Sequence, residues 1–342
     1  ITTGANNIAI GKDSSDAITS GSANVAIGTS SLGANTTAHN NVAVGTSVLQ
    51  SLNTSSQNTA IGSSAMSSIG TGASGLSNCV AIGYQAFQGG VNTTNGAVGT
   101  VAVGMNSLFS LTTGASNTAI GYKSGENVTS GGNSVMIGNE AGNGVSTSFY
   151  HVLIGDHAGH KTLSDHGSVA VGYYALANAT SGGYNTAIGY QALEDNVSGE
   201  YSTALGYQSL ANATGGSNTA IGYQSGDSIT TGSNNTILGF QAFSADTDGT
   251  DNVAIGWKAG RNVHGAQKNV MIGYQAMANI DNNPGDEIAN SVAIGYQAFL
   301  GSDNDSTGTT TATNGTVAVG YKSLTGLTPG AGNIAIGFAI SS

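Results

Sequence analysis

The stretch NTAIGYQSG, residues 218–226, has near copies at residues 117–125 (NTAIGYKSG), 185–193 (NTAIGYQAL) and 291–299 (SVAIGYQAF). The Gly that closes the AIG phrase recurs at 11, 28, 45, 62, 83, 104, 121, 138, 155, 172, 189, 206, 222, 239, 256, 273, 295, 320 and 337. These nineteen copies define eighteen intervals, of which thirteen are 17 residues and the others 21, 21, 16, 22 and 25. So regular a lock along the whole chain is the signature of a repeat architecture, in which each unit buries its apolar face only by stacking on its neighbours.

The columns of the repeat give the geometry of one coil. Val, Ile or Thr stands three before the Gly in every copy, and Ile, Val or Leu one before it. Between them sits Ala in fifteen of nineteen copies, with Met136, Leu153, Ile237 and Met271 as the exceptions. β-Branched residues at alternate positions predict a strand. With Ala and Gly on its other face, that strand is apolar on both sides, which predicts burial on both. The Ala/Gly face is smooth and is expected to need a partner. Recurrent Gly and the lack of a 3.6-residue period argue against helix. Beyond the Gly, an aromatic follows in twelve copies, then Ala or Ser two positions later, then Leu, Met, Phe or Gly. A further apolar position, seven after the Gly, holds Ile18, Val128, Val145, Ile229, Val263 and Ile280. Turn glycines at Gly21, Gly114, Gly131, Gly182 and Gly232 are expected to supply positive φ. One coil therefore reads as a strand, a bend, a shorter extended segment and a Gly turn.

The predicted fold is all-β: a parallel β-solenoid or β-roll of about nineteen 17-residue coils, forming one continuous array over residues 1–342. At ~4.8 Å per coil the rod would be roughly 90 Å long. Stacking turns columns into ladders. The Asn four before the Gly, in eleven copies, predicts an inward ladder whose amides bond along the stack: Asn24, Asn41, Asn58, Asn117, Asn185, Asn218, Asn235, Asn252 and Asn269 among them. Tyr173, Tyr190, Tyr207, Tyr223, Phe240, Trp257 and Tyr274 predict an aromatic ladder, either packed along the rod or exposed as a stacking platform for sugars.

Composition narrows the function. With 54 Gly, 2 Pro and only 7% charged residues the chain is no ordinary globule, and 39% apolar content with so little charge is the wrong signature for disorder. A net charge of −11 with seven Lys and Arg would repel a nucleic-acid backbone. No apolar run approaches the ~20 residues a membrane span needs. The lone Cys79 rules out an internal disulfide framework. P-loop, HExxH and GxSxG signatures are missing and the carboxylates are scattered, so no enzyme is expected. The chain has no initiator Met, and it opens as ITTGANNIAIG and closes as GNIAIGFAISS, both in mid-pattern without polar caps. Either a piece of a longer fibre or a subunit that polymerises end to end is expected.

The phrases NVAIG (residues 24–28 and 252–256) and SVAIG (residues 291–295) resemble the head repeats of YadA-like trimeric autotransporter adhesins and related repeats in tail fibres of bacterial viruses. The resemblance covers nearly the whole chain at the level of this five-letter core. It implies a left-handed parallel β-roll, an intertwined or side-by-side homotrimer, and an extracellular, cell-surface or virion location with a host-surface glycan or protein as receptor. The repeat here is longer than the family's and adds the aromatic step.

Enlarged loops are expected near residues 66–78, 88–99, 278–290 and 300–315, where intervals lengthen, and solenoid insertions often carry the working face. Two clusters have metal-ligand chemistry. His151, His157, His160 and His166 fall on adjacent coils with Asp156 and Asp165 nearby, a candidate transition-metal set competing with solvated surface histidines. Asp246, Asp248 and Asp251 in DTDGTD are a candidate for calcium, without the distant bidentate Glu of a calcium loop.

Overall fold

The computed structural model describes residues 3–69, 76–90, 96–161, 166–280, 288–301, 314–326 and 331–340. Among them there is no α-helix, and so none long and apolar enough to cross a membrane. Nineteen strands of three residues each, β1 (Ile8–Ile10) to β19 (Ile334–Ile336), end on the residue before the phrase Gly. The chain divides into two compact units, Ile1–Val171 and Gly172–Ser342. The first holds β1 to β10 (Val169–Val171), the second β11 (Thr186–Ile188) to β19.

Within each unit every strand pairs in parallel with the next in chain order, and like residues face like: Val25 opposite Val42, Thr219 opposite Thr236, Val292 opposite Val317. Each unit is thus a β-solenoid. The rungs are closed by the backbone on either side of the strand. Val253 donates its N–H to the Asn269 carbonyl of the following coil (2.9 Å), and Gly256 donates to the Leu238 carbonyl of the preceding one (2.8 Å). The lengthened intervals leave this register intact, since Met271 still pairs with Ala293 and Ala293 with Ala318. Of the four expected enlarged loops, residues 70–75, 91–95, 281–287 and 302–313 lie outside the described residues.

The predicted second extended segment is instead a run of turns; among the described residues, pairing beyond the strands is limited to isolated parallel bridges, Thr250 to Gln267 and Gln267 to Ala289. The chain bends because residues two after the phrase Gly are left-handed, as at Gln191 (φ 53°), Gln208 (φ 51°) and Gln241 (φ 48°), and residues four after it likewise, as at Leu193 (φ 50°) and Phe243 (φ 51°). The first of these positions is the third residue of a type II-like turn, closed by Ala242 N–H on the Gly239 carbonyl (3.5 Å). Left-handed non-Gly residues cost roughly 1–2 kcal/mol each. Here the cost is offset because turn amides also reach the preceding coil, as Gln224 N–H does to the Tyr207 carbonyl (2.8 Å).

The strand is buried on one face and not on both. The Ala at strand centre is buried (Ala187, Ala204, Ala220 and Ala254 at 0% exposure), while the β-branched residues flanking it are half-exposed. So the Ala/Gly face is the core, and the Val/Ile face is the one left without a cover. A 17-residue coil is narrow, and beneath the large side chains of the turn only a small strand residue fits. Leu176, Leu193, Leu210, Phe87 and Phe299, all four after the phrase Gly, fill the interior.

The four strand-centre exceptions obey the same volume rule. Met136, Leu153, Ile237 and Met271 each follow a coil whose fourth post-phrase residue is Gly: Gly125, Gly142, Gly226 and Gly260. A Cβ on Gly226 would lie 2.8 Å from Ile237 Cδ1, and one on Gly260 2.6 Å from Met271 Sδ. The large residue has moved from turn to strand. Gly159, which precedes Ala170, and Ser15, which precedes Ala26, leave small residues at both places.

Gly21, Gly114, Gly131, Gly182 and Gly232 do not take positive φ; a Cβ on them would meet a carbonyl oxygen of the next coil at 1.8–2.4 Å. They are Gly for closeness of approach. The phrase Gly answers to both demands: Gly239 has φ +144°, and its Cβ would sit 2.3 Å from the Gly256 oxygen.

Candidate functional site

Strand alternation puts the residues three before, one before and one after the phrase Gly on a single outer face. The middle column of that face is aliphatic on every coil; the first carries Val, Ile or Thr, and the third is aromatic throughout the second unit but mixed in the first, with Lys12, Thr29, Ser63 and Asp156 among its residues. In the second unit Ile188 (38% exposed), Leu205 (43%), Ile221 (36%) and Leu238 (44%) line its middle. The aromatic column runs beside them. Tyr173, Tyr190, Tyr207, Tyr223, Phe240, Trp257 and Tyr274, continued by Tyr296, Tyr321 and Phe338, stack as near-parallel rings with centroids 4.5–6.2 Å apart and planes within 13°. Lys258 Nζ lies over the Trp257 ring at 4.1 Å. Each ring covers its neighbours' faces, so edges rather than faces meet the solvent, which disfavours a sugar-stacking platform. Tyr173, Tyr190, Tyr207, Tyr223, Phe240, Tyr274, Tyr296 and Tyr321 are 38–45% exposed. At about 200 Å² per ring they leave roughly 600 Å² of ring surface in water, already the size of the largest apolar patch on an ordinary monomer before the aliphatic column is added.

A second ladder flanks the rings and was missed by sequence reasoning, although the YQ dipeptide announced it. Gln208 Nε2 donates to Gln191 Oε1 (2.9 Å), Gln224 to Gln208 (3.0 Å) and Gln241 to Gln224 (3.0 Å). Every amide points the same way, the arrangement in which successive bonds polarise one another. Tyr184 and Tyr201 form another unanticipated stack, at 5.6 Å, one residue before the Asn column.

The Asn column is inward. Asn24, Asn41, Asn58, Asn117, Asn185, Asn218, Asn235, Asn252 and Asn269 are all buried. Asn235 shows the pattern: its Oδ1 accepts Asn252 N–H (3.1 Å) and Asn252 Nδ2 (3.0 Å), while its own Nδ2 donates to the Gly249 carbonyl (2.8 Å). Other residue types keep part of that role. Ser202 Oγ accepts Asn218 N–H (3.2 Å), and the Cys79 thiol, pushed up in pKa by burial, lies 3.2 Å from the Ala97 carbonyl.

His151 belongs to this ladder and not to a metal site. It is buried, and its Nδ1 accepts Ser168 N–H (3.3 Å). His166 is likewise elsewhere: its ring packs on Phe149 (5.6 Å) and its Nδ1 accepts Phe149 N–H (3.0 Å). Asp165 lies outside the described residues. His157 and His160 do come together, joined by Glu140, which the sequence did not flag. Glu140 Oε2 is 3.5 Å from both His157 Nε2 and His160 Nδ1. Among the described residues this is the one group of three His, Cys, Asp or Glu side chains close enough to share an ion. Asp156 bonds His157 Nδ1 and also accepts from Asn139 (3.3 Å); the His157 bond holds its carboxyl below the ordinary carboxylate range.

The three aspartates of DTDGTD do not converge. Asp246 is buried in the apolar position seven after its phrase Gly, where its carboxylate accepts N–H from Asp248 (3.1 Å), Gly249 (2.7 Å) and Ala266 (2.9 Å). Burial raises its pKa against the pull of those donors. Asp251 instead accepts from Asn234 Nδ2 (3.1 Å). Asp246 thus acts as a backbone cap, the role Asn35 and Asn196 fill in their own coils. Comparison with protein families, curated proteins and solved structures finds no match.

Proposed function

We propose that the chain is a segment of a non-catalytic structural or adhesive fibre, assembled side by side as a homotrimer on an extracellular, cell or virion surface. The observation that carries this reading is the uncovered outer face, Val, Ile or Thr beside Ile, Val or Leu on coil after coil, with an unbroken aromatic column along the second unit. Its repeat is one solenoid rise of ~4.8 Å. Only a surface with the same rise keeps its rows in register with this one over many coils, and another copy of the chain has that rise. The number three rests on the likeness of the AIG phrases to trimeric adhesin heads, as does a glycan or protein receptor.

Sedimentation or light scattering on the purified chain tests the reading. A mass of three chains is expected. The outer-face variant Ile188→Glu/Ile221→Glu/Leu238→Glu is expected to give single chains with unchanged β circular dichroism, because these side chains are not part of the interior. A native chain that stays monomeric at every concentration overturns the proposal. Filaments that lengthen with concentration would replace it with end-to-end polymerisation.

A further inference from the structure

We infer that Glu140, His157 and His160 form a binding site for a divalent transition metal of the zinc type. The repeat itself builds the site. Glu140 and His157 occupy the same column, two after the phrase Gly, on adjacent coils, and both are left-handed (φ 52° and 56°). Their backbones are fixed by the same rung, Glu140 N–H to the Tyr122 carbonyl (2.8 Å) and His157 N–H to the Asn139 carbonyl (2.9 Å). His160 stands in the column three further on, held by Gly144 N–H on its carbonyl (2.8 Å). These two columns meet across the turn in neighbouring coils as well: Lys123 Nζ pairs with Glu126 at 3.3 Å.

The donor set and its spacing fit the ion. Two imidazoles and a carboxylate form one of the ligand sets of open zinc sites, with further positions left for water or another ligand. On a tetrahedral ion with bonds of ~2.0–2.1 Å, ligand atoms lie about 3.4 Å apart. The two His–Glu separations here are 3.5 Å, and all three ligand atoms fall within 4.8 Å of one another. The carboxylate of Asp156 on His157 Nδ1 leaves Nε2 facing Glu140, the outer-shell arrangement that fixes a ligating imidazole. His160 Nδ1 is buried without a hydrogen-bond partner and lies on the Glu140 side.

Calorimetric titration of the chelator-treated full chain with Zn²⁺, at pH about 7.5, tests this. One ion per chain is expected, and Co²⁺ in its place should give the visible absorption of a low-coordinate imidazole site. His157→Gln/His160→Gln should abolish binding, Asp156→Asn should weaken it about 10-fold by freeing the ring, and His166→Gln should leave it unchanged. If the double variant does not fold, X-ray absorption on the native chain with Zn²⁺ substitutes for it, with two imidazole shells expected. No Zn²⁺ uptake, uptake unaffected by the double variant, or an oxygen-only shell each overturns the assignment.

Discussion

At the scale of the residue, the fold is held by side chains that complete the backbone's hydrogen bonding from one coil to the next. Asn252 accepts Asn269 N–H (3.0 Å) and Asn269 Nδ2 (3.1 Å), and donates to the Ala266 carbonyl (2.7 Å), all in a buried setting. Asn252→Ala strands the Asn269 N–H, while the Ala266 carbonyl keeps the Thr250 N–H (2.9 Å) and the Asn269 Nδ2 keeps the Ile288 carbonyl (2.7 Å). At about 1–3 kcal/mol per unsatisfied buried group the loss is roughly 1–3 kcal/mol. Asn252→Ser is expected to recover at least ~1 kcal/mol of it, since Ser202 and Ser291 already accept the next coil's N–H in this column (3.2 Å each). Denaturant titration of both variants checks the order; equal losses would mean that the amide ladder contributes nothing beyond filling space. The ladder was readable in the sequence because Asn recurs at a fixed offset from a Gly. The trio of Glu140, His157 and His160 was not. His151 and His166 look equivalent to His157 and His160 along the chain, and only the position within the coil separates a core rung from a surface turn.

At the scale of the coil, packing is a rule about pairs of positions rather than about either one. Gly226 and Ile237 exchange volume with the Leu-and-Ala arrangement of the coils before them, such as Leu210 followed by Ala220. Ile237→Ala alone opens a cavity worth roughly 2–5 kcal/mol. Gly226→Leu alone forces a side chain into Ile237 and costs about 1–3 kcal/mol by overpacking; its left-handed backbone is no obstacle, since Leu210 has φ 50°. The double variant restores the common pattern, so a double-mutant cycle should show coupling of at least ~1.5 kcal/mol in favour of the pair. Additive losses would refute volume exchange. The strand itself was legible from β-branched alternation, and so was its termination by Gly. Which face points inward was not, because Val-x-Ile and Ala-Gly are both apolar and alternation assigns residues to faces without saying which is core. The turn chemistry was hidden for a different reason: Gln, Lys and Leu carry no mark of the left-handed conformation they adopt here, which the neighbouring coils impose.

At the scale of the molecule, each unit is a one-dimensional stack in which a strand touches only the strands before and after it. Stability in such a stack is a sum of coil and nearest-neighbour terms, and damage stays local. The phrase Gly is the place to see this. Gly239→Ala puts a methyl 2.3 Å from the Gly256 oxygen at φ +144°, so both the coil and its contact with the next must yield. Hydrogen exchange read by mass spectrometry should then show lost protection over β13 (Thr219–Ile221), β14 (Thr236–Leu238) and β15 (Val253–Ile255). Strands β11 and β12 (Thr203–Leu205), in the same unit, should keep theirs. A variant that loses protection evenly across residues 172–342 would show that the unit unfolds as a single cooperative body. In that case the coil-by-coil account would give way to one governed by long-range coupling along the core. The distinction bears on the proposed fibre, because a stack that fails locally can lose a coil under load while the coils on either side continue to hold.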